Sequence, residues 1–167
     1  IDAKEILVKV IDEYKENSIL KKELGKAYFL LGNIYLEFDW NFDLSKDTYQ
    51  DCINISKSGQ YGKESENKIN SITSFLNYQE EIFYIETINA DDDSLDNKDL
   101  LSTSEISKYN GLDSLIFHSG QILYFDLGSK DSSISRFKKI VNKFSDSKYH
   151  YKSLLILDLE QPNSRWK

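Results

Sequence analysis

The side chains with the most chemistry to offer are two histidines (His118, His150), one cysteine (Cys52) and the aspartate run Asp91-Asp92-Asp93-Ser94-Leu95-Asp96. A zinc site needs several His or Cys ligands at short, regular spacing, and the two histidines are too far apart in sequence to form a ligand pair. His118 sits among core-spaced residues and reads as a packed or surface histidine. A nucleophilic cysteine needs a neighbouring base to hold it as thiolate. Cys52 falls instead on an apolar helical stripe and reads as a small buried hydrophobe. Oxygen-rich loops bind Ca²⁺, and the twelve-residue EF-hand loop fixes where each oxygen must stand. Started at Asp91, that loop meets Leu95 and Asp96 where it needs an oxygen ligand and a glycine. Started at Asp92, it meets Asn97 and Thr103 where it needs Gly and Glu. Both registers fail, and a solvated loop is the better reading. There is no Gly-rich phosphate loop, GxSxG elbow or HExxH motif. The expectation is a protein that is not an enzyme and uses no metal or cofactor.

The elements that would carry a function are helices. One Pro and seven Gly in 167 residues leave few breaks, and 40 % hydrophobic residues are enough for a core. With no Met, that core rests on Leu, Ile, 11 Tyr and 9 Phe. A formal charge of −7 argues against a general nucleic-acid binder, whose affinity comes from neutralising phosphates. The charge is uneven. Positions 86–99 hold six acids against Lys98, and positions 136–152 hold six bases against Asp146. A solvated helix face is the simplest reading of the basic stretch; a surface for an acidic partner is the other. The single cysteine excludes an internal disulfide, and no run is apolar and long enough to span a membrane. The chain begins with Ile1 and has no Met, so it reads as a piece of a longer protein, and missing targeting signals carry no weight.

A repeat at an offset of 88 residues organises the chain. Gly32 meets Gly120, Ser45 meets Ser133, Tyr49 meets Phe137 and Tyr61 meets Tyr149. In the first copy, Leu24, Ala27, Tyr28, Leu31, Ile34, Tyr35 and Phe38 recur at helical spacing, which predicts a helix from about Lys22 to Phe38. Gly32, inside that helix, points to close approach of a second helix. Asp43 is the expected cap of the next helix, which carries Leu44, Tyr49, Cys52 and Ile53 and ends at Ser58-Gly59. In the second copy, Leu112, Leu115, Ile116, Ser119, Ile122 and Leu123 form the first stripe, 127–130 the turn, and Asp131 the expected cap. Ile134, Phe137, Ile140, Val141 and Phe144 form the second stripe. The N-terminal 18 residues read as the second helix of a preceding hairpin, and 149–160 as the first helix of a following one. Residues 62–89 read as a long helix, with 82–87 assigned to it despite strand-like composition. Ala90 to Ser104 reads as an exposed acidic loop inserted into a single domain spanning 1–167.

These residues resemble the tetratricopeptide repeat. Tyr28, Leu31-Gly32 and Tyr35 match its first helix, as do Phe117, Gly120 and Leu123 more loosely. Ser45, Tyr49 and Cys52, and Ser133, Phe137 and Ile140, match its second. In both copies the aromatic follows the Gly by 17 positions, one more than in the consensus, which points to a longer inter-helix turn. The junctions Tyr14-Lys15-Glu16-Asn17-Ser18 and Phe144-Ser145-Asp146-Ser147-Lys148 resemble the FPxSxYA junction of bacterial envelope repeat proteins, though its Pro is missing. Those proteins include tetratricopeptide lipoproteins of outer-membrane assembly and related secretion or gliding factors.

The resemblance implies an all-α fold, an α-α superhelix of tetratricopeptide-like hairpins. It implies a scaffold that holds a partner protein's peptide or helix in a concave groove lined by first helices, with no nucleic acid and no direct membrane insertion. Carried over by position, the groove residues are Lys26, Phe29, Asn33, Leu36 and Glu37 in the first copy, and Ser114, Phe117, Gln121 and Tyr124 in the second. The envelope likeness favours the bacterial periplasm or an outer-membrane-associated site over the cytoplasm. The alternative from another class is a structural helical spacer between flanking domains.

Overall fold

A computed structural model describes residues 2–92 and 111–162. The described residues form seven α-helices and no strand: α1 (Ala3–Tyr14), α2 (Lys21–Glu37), α3 (Phe42–Ser56), α4 (Gln60–Asp92), α5 (Leu112–Phe125), α6 (Lys130–Lys143) and α7 (His150–Glu160). A single 3-10 turn, Ser18–Leu20, leads into α2. The strand-like run 82–87 is helical, as its helical neighbours predict. Of the expected acidic loop at 90–104, residues 90–92 continue α4 and the rest lie outside the described residues. The same division cuts the aspartate run: Asp91 and Asp92 are helical, and its remainder is outside. Among the described residues no helix is long and apolar enough to cross a membrane.

The chain divides into two compact units, Ile1–Thr73 and Ser74–Lys167. In the first, α2 packs against both α1 and α3. Ile11, Ala27 and Leu31 are buried together, with Leu7, Tyr28 and Tyr35 around them. In the second, α6 packs against α5 and α7. Its core joins Ile116, Phe117, Phe137, Ile140, Tyr149 and Leu157. Burial of this kind contributes about 1.5–3 kcal/mol for each large apolar side chain.

The two hairpins α2–α3 and α5–α6 are built alike, position by position. At the end of α2 the N–H groups of Phe38 and Asp39 donate to Ile34 O, and Asn41 N–H donates to Tyr35 O, at 3.1, 3.2 and 2.8 Å. At the end of α5 the N–H groups of Asp126 and Leu127 donate to Ile122 O, and Ser129 N–H donates to Leu123 O, at 2.9, 3.0 and 2.8 Å. Bonds reaching five and six residues back widen the last turn. That widening accommodates the extra residue the spacing shows. Each turn then passes through one left-handed residue, Trp40 (φ 50°) and Gly128 (φ 72°). Gly takes this conformation freely, whereas any other residue is strained there by about 1–2 kcal/mol. Trp40 sets its ring edge-on to Phe42, 4.9 Å between centroids.

The expected caps are corrected by two residues. Asn41, not Asp43, caps α3, its Oδ1 accepting from Leu44 N at 3.0 Å. Ser129 holds the same position before α6, without a side-chain cap bond. Asp43 and Asp131 stand in the first helical turn, where a negative charge favours the exposed N–H groups of the helix start. Two expected stripe residues, Phe38 and Leu44, are exposed. Phe38 follows the last residue of α2, where the widened turn rotates it off the packed face.

Gly32 and Gly120 occupy equivalent places. A Cβ on Gly32 would stand 2.5 Å from Cε1 of the buried Tyr49; on Gly120 it would stand 3.1 Å from Cε1 of Phe137. Gly32→Ala should therefore lower stability by about 1–3 kcal/mol, and by more than Gly120→Ala. Gly128→Ala meets no neighbour and should cost only its backbone conformation, about 1 kcal/mol. Urea unfolding of the three variants measures all three values.

Candidate functional site

In each unit a three-ring cluster joins one aromatic of the hairpin's first helix, one of its second and one that follows the hairpin. In the first unit the half-buried ring of Phe29 lies 5.8 Å from Tyr49 and 5.5 Å from Tyr61. In the second, Phe117 lies 5.7 Å from Phe137 and is stacked on Tyr149 at 4.6 Å. The three positions correspond one for one at the offset of 88. Aromatic pairs at these separations add about 0.5–1.5 kcal/mol beyond their burial.

Beside each cluster stands a carboxamide. Asn33 Oδ1 accepts the Tyr49 hydroxyl at 2.6 Å. Burial pushes the pKa of the Tyr49 hydroxyl up, which keeps it protonated and a donor. Gln121 Oε1 is 3.1 Å from His118 Nδ1. In both, the oxygen is engaged within the chain, which fixes the plane of the amide. The NH₂ end retains its two donors.

The other expected groove residues separate. Lys26 and Glu37 are exposed. Leu36 is fully buried and Phe117 is 3 % exposed, so neither side chain offers surface to a ligand. For Leu36 the cause is that α2 is packed on two sides, by α1 and by α3, so its buried arc is broader than a single stripe. Ser114 Oγ is 3.1 Å from the Tyr149 hydroxyl, which is also 3.2 Å from His118 Nε2. Both ring nitrogens of His118 are thus engaged, in keeping with its reading as a packed residue. The bond with Ser114, helped by the Lys148 ammonium, lowers the pKa of Tyr149. Tyr124 donates to Glu160, to which Lys130 is paired at 3.2 Å.

The reactive residues of the sequence take internal roles. Cys52 is fully buried, its Sγ 3.1 Å from Gly25 O, and burial pushes its thiol pKa up, which keeps it protonated. In the basic stretch, Arg136 is drawn inward. Its guanidinium lies 5.5 Å above the Phe75 ring and Nη1 donates to Ser119 Oγ at 2.9 Å, and burial lowers its pKa from the usual guanidinium value. Lys139 pairs with Glu86. The solvated-face reading of this stretch therefore does not extend to Arg136. Among the described residues no three His, Cys, Asp or Glu side chains gather to hold a metal. One cavity of about 410 Å³ lies between α4 and the start of α5, lined by Glu81, Tyr84, Ile85 and Ser114.

The sequence reading passed over Tyr149 and Glu160 as site residues. Tyr149 had a signal, its pairing with Tyr61 at the repeat offset. Glu160 had none, because its partners Tyr124 and Lys130 lie more than 29 residues away.

The Tyr124–Glu160–Lys130 group gives a pH signature. Hydrogen bonds from Tyr124 and then Lys130 hold the Glu160 pKa below the usual carboxylate value, while the bond to Glu160 raises the pKa values of Tyr124 and Lys130. A carboxylate held low in the folded state stabilises above its ordinary range and loses that contribution as pH falls through its folded value. Groups held high lose theirs as pH rises through the alkaline range. The stability difference between the native chain and Glu160→Gln should therefore be flat from about pH 5 to pH 9 and shrink below about pH 4. Thermal melts across that range read it directly.

No protein-family model matches this chain, and neither does any curated protein or solved structure.

Proposed function

We propose that this chain is a protein-interaction scaffold whose tetratricopeptide-like hairpins form an α-α superhelix and hold an extended peptide or helix of a partner protein. The observation that carries the reading is the pair Asn33 and Gln121. They occupy the same register, each beside a three-ring cluster, each with its oxygen tied back to the chain and its NH₂ donors uncommitted among the described residues. A carboxamide anchored this way donates to a peptide carbonyl in a fixed direction and reads backbone rather than sequence. Lys26 and Glu37 flank it with exposed charge on α2. The likeness of the hairpin junctions to those of envelope repeat proteins favours a role in bacterial envelope assembly or secretion.

A structural spacer is the second reading, and one observation favours it. Leu36 and Phe117 are internal, and Ser114 and Tyr124 spend their hydroxyls on Tyr149 and Glu160.

Asn33→Asp with Gln121→Glu separates the two. Each change keeps the oxygen that Tyr49 or His118 uses and removes the NH₂ donors. Peptides enriched on the native chain from a random display library should bind the double variant at least about tenfold more weakly, about 1.4 kcal/mol, with an unchanged melting temperature. No enrichment, or affinity unaffected by the double change, supports the spacer.

A further inference from the structure

Arg136 is a cation that the fold draws inward without supplying a counter-charge. Taking a guanidinium out of water costs hydration energy, which a paired carboxylate ordinarily offsets. Half-buried Arg136 instead stands over the buried ring of Phe75 and donates through Nη1 to the buried hydroxyl of Ser119. That hydroxyl donates in turn to Ile116 O at 2.9 Å, so it meets Arg136 with a lone pair. These contacts orient the guanidinium; neither cancels its charge. Glu86, the carboxylate whose field reaches Arg136, is paired with Lys139. Burial outweighs that field, and the pKa of Arg136 falls.

A guanidinium carries five N–H donors. Among the described residues, Arg136 gives a hydrogen bond to Ser119 alone. Its side chain lines a cavity of about 540 Å³ between α4 and α6. Gln79 lines it from α4, and Ser132 and Ser135 line it from α6. Among the described residues the polar ends of these three have no hydrogen-bond partner. One under-paired cation and several uncommitted donors thus converge on one space.

This space is distinct from the carboxamide surface. Arg136 reaches α5 at Ser119, two positions from Gln121, and residues two apart on a helix do not share a face. Its occupancy therefore does not depend on the peptide-binding reading of Asn33 and Gln121.

We propose that this cavity is a carboxylate-binding site anchored by Arg136, which gives the ligand two parallel N–H bonds while Ser132, Ser135 and Gln79 donate around it. A carboxylate presents two oxygens in one plane, matched to the edge of a guanidinium. Phosphate matches the same edge but brings nearly two charges at neutral pH, and Glu86 and Asp131 in the lining repel the second. The charge that Arg136 lacks is a single one. The carboxylate comes from an acidic side chain of a partner protein or from a small free acid; both present the same two oxygens.

Nitrogen-15 NMR titration followed at the arginine Nε–H groups tests this. The chain has two arginines, Arg136 and Arg165, and Arg136→Lys assigns the signal by removing it. The ligands, at constant ionic strength, are propionate, N-acetyl-Gly-Glu-Gly-amide, the same peptide with Gln for Glu, and inorganic phosphate. Propionate or the Glu peptide should shift the Arg136 signal saturably, with Kd below about 10 mM. The Gln peptide should give no saturable shift, and phosphate should bind more weakly than the tighter carboxylate. A Glu peptide at least about tenfold tighter than propionate marks a protein side chain as the source; a smaller gap marks a free acid. Glu86 is exposed, so Glu86→Gln leaves the fold intact, removes a competing charge and frees Lys139. It should tighten carboxylate binding at least about threefold. Arg136→Lys keeps a charge without the planar fork and, read at the Ser132 and Ser135 amides, should weaken binding at least about tenfold. The native and Glu86→Gln titrations decide the matter even where Arg136→Lys fails to fold. No saturable shift with either carboxylate overturns the proposal. So does a Gln peptide equal to the Glu peptide, phosphate binding more tightly than both carboxylates, or Glu86→Gln leaving affinity unchanged.

Discussion

An aromatic ring pressed onto a bare stretch of helix is the contact on which each hairpin depends. Gly32 lets Tyr49 approach α2 more closely than any side chain would allow, and Gly120 does the same for Phe137 on α5. The ring then has a second neighbour on the first helix, Phe29 or Phe117, and that neighbour gathers a third ring from further along the chain, Tyr61 or Tyr149. A glycine in the middle of a helix costs about 1 kcal/mol against alanine. The cost is offset because a fully buried aromatic gains both area and ring contacts there.

The two hairpins satisfy the polar groups around this contact differently. In the first, Ser45 Oγ donates to Gly32 O at 3.0 Å and the Tyr49 hydroxyl is bonded to Asn33. In the second, Phe137 has no hydroxyl to place, and Ser133 Oγ is buried with no partner among the described residues. The structure gives no physical account of that orphaned hydroxyl. Polar bonding in the second unit moves to its edges instead. Asp113 accepts from Ser147 Oγ at 2.5 Å, Tyr149 meets Ser114 and His118, and Tyr124 with Lys130 holds Glu160. These bonds tie α5 to both ends of α7, so the side chains nearest the second carboxamide serve the fold before they serve a ligand.

That division of labour bears on function. A binding surface needs polar groups that are held in place and still have capacity left. Asn33 and Gln121 meet both conditions, because a carboxamide has two ends and the chain uses one. Ser114 and Tyr124 place their hydroxyls on internal partners, and Leu36 and Phe117 are buried. The binding reading therefore rests on fewer residues than a position-by-position transfer from a repeat family supplies.

What the sequence determined by itself was local and periodic. Helices follow from apolar spacing of three and four, the tight crossing from a glycine inside such a spacing, and the longer turn from one extra residue between Gly32 and Tyr49 and between Gly120 and Phe137. Each is encoded within about twenty residues, and each recurs at an offset of 88. What only the tertiary structure decided depends on groups brought together from afar. Whether Leu36 lines a surface or a core depends on α2 having two neighbours. Arg136 leaves solvent because Phe75 and Ser119 await it, and Glu160 acquires a role from Tyr124 and Lys130. The choice of Asn41 over Asp43 as cap is of the same kind: both can accept from a helix start, and the geometry of the preceding turn selects between them. Periodicity states which residues share a face; it does not state how many neighbours that face will have.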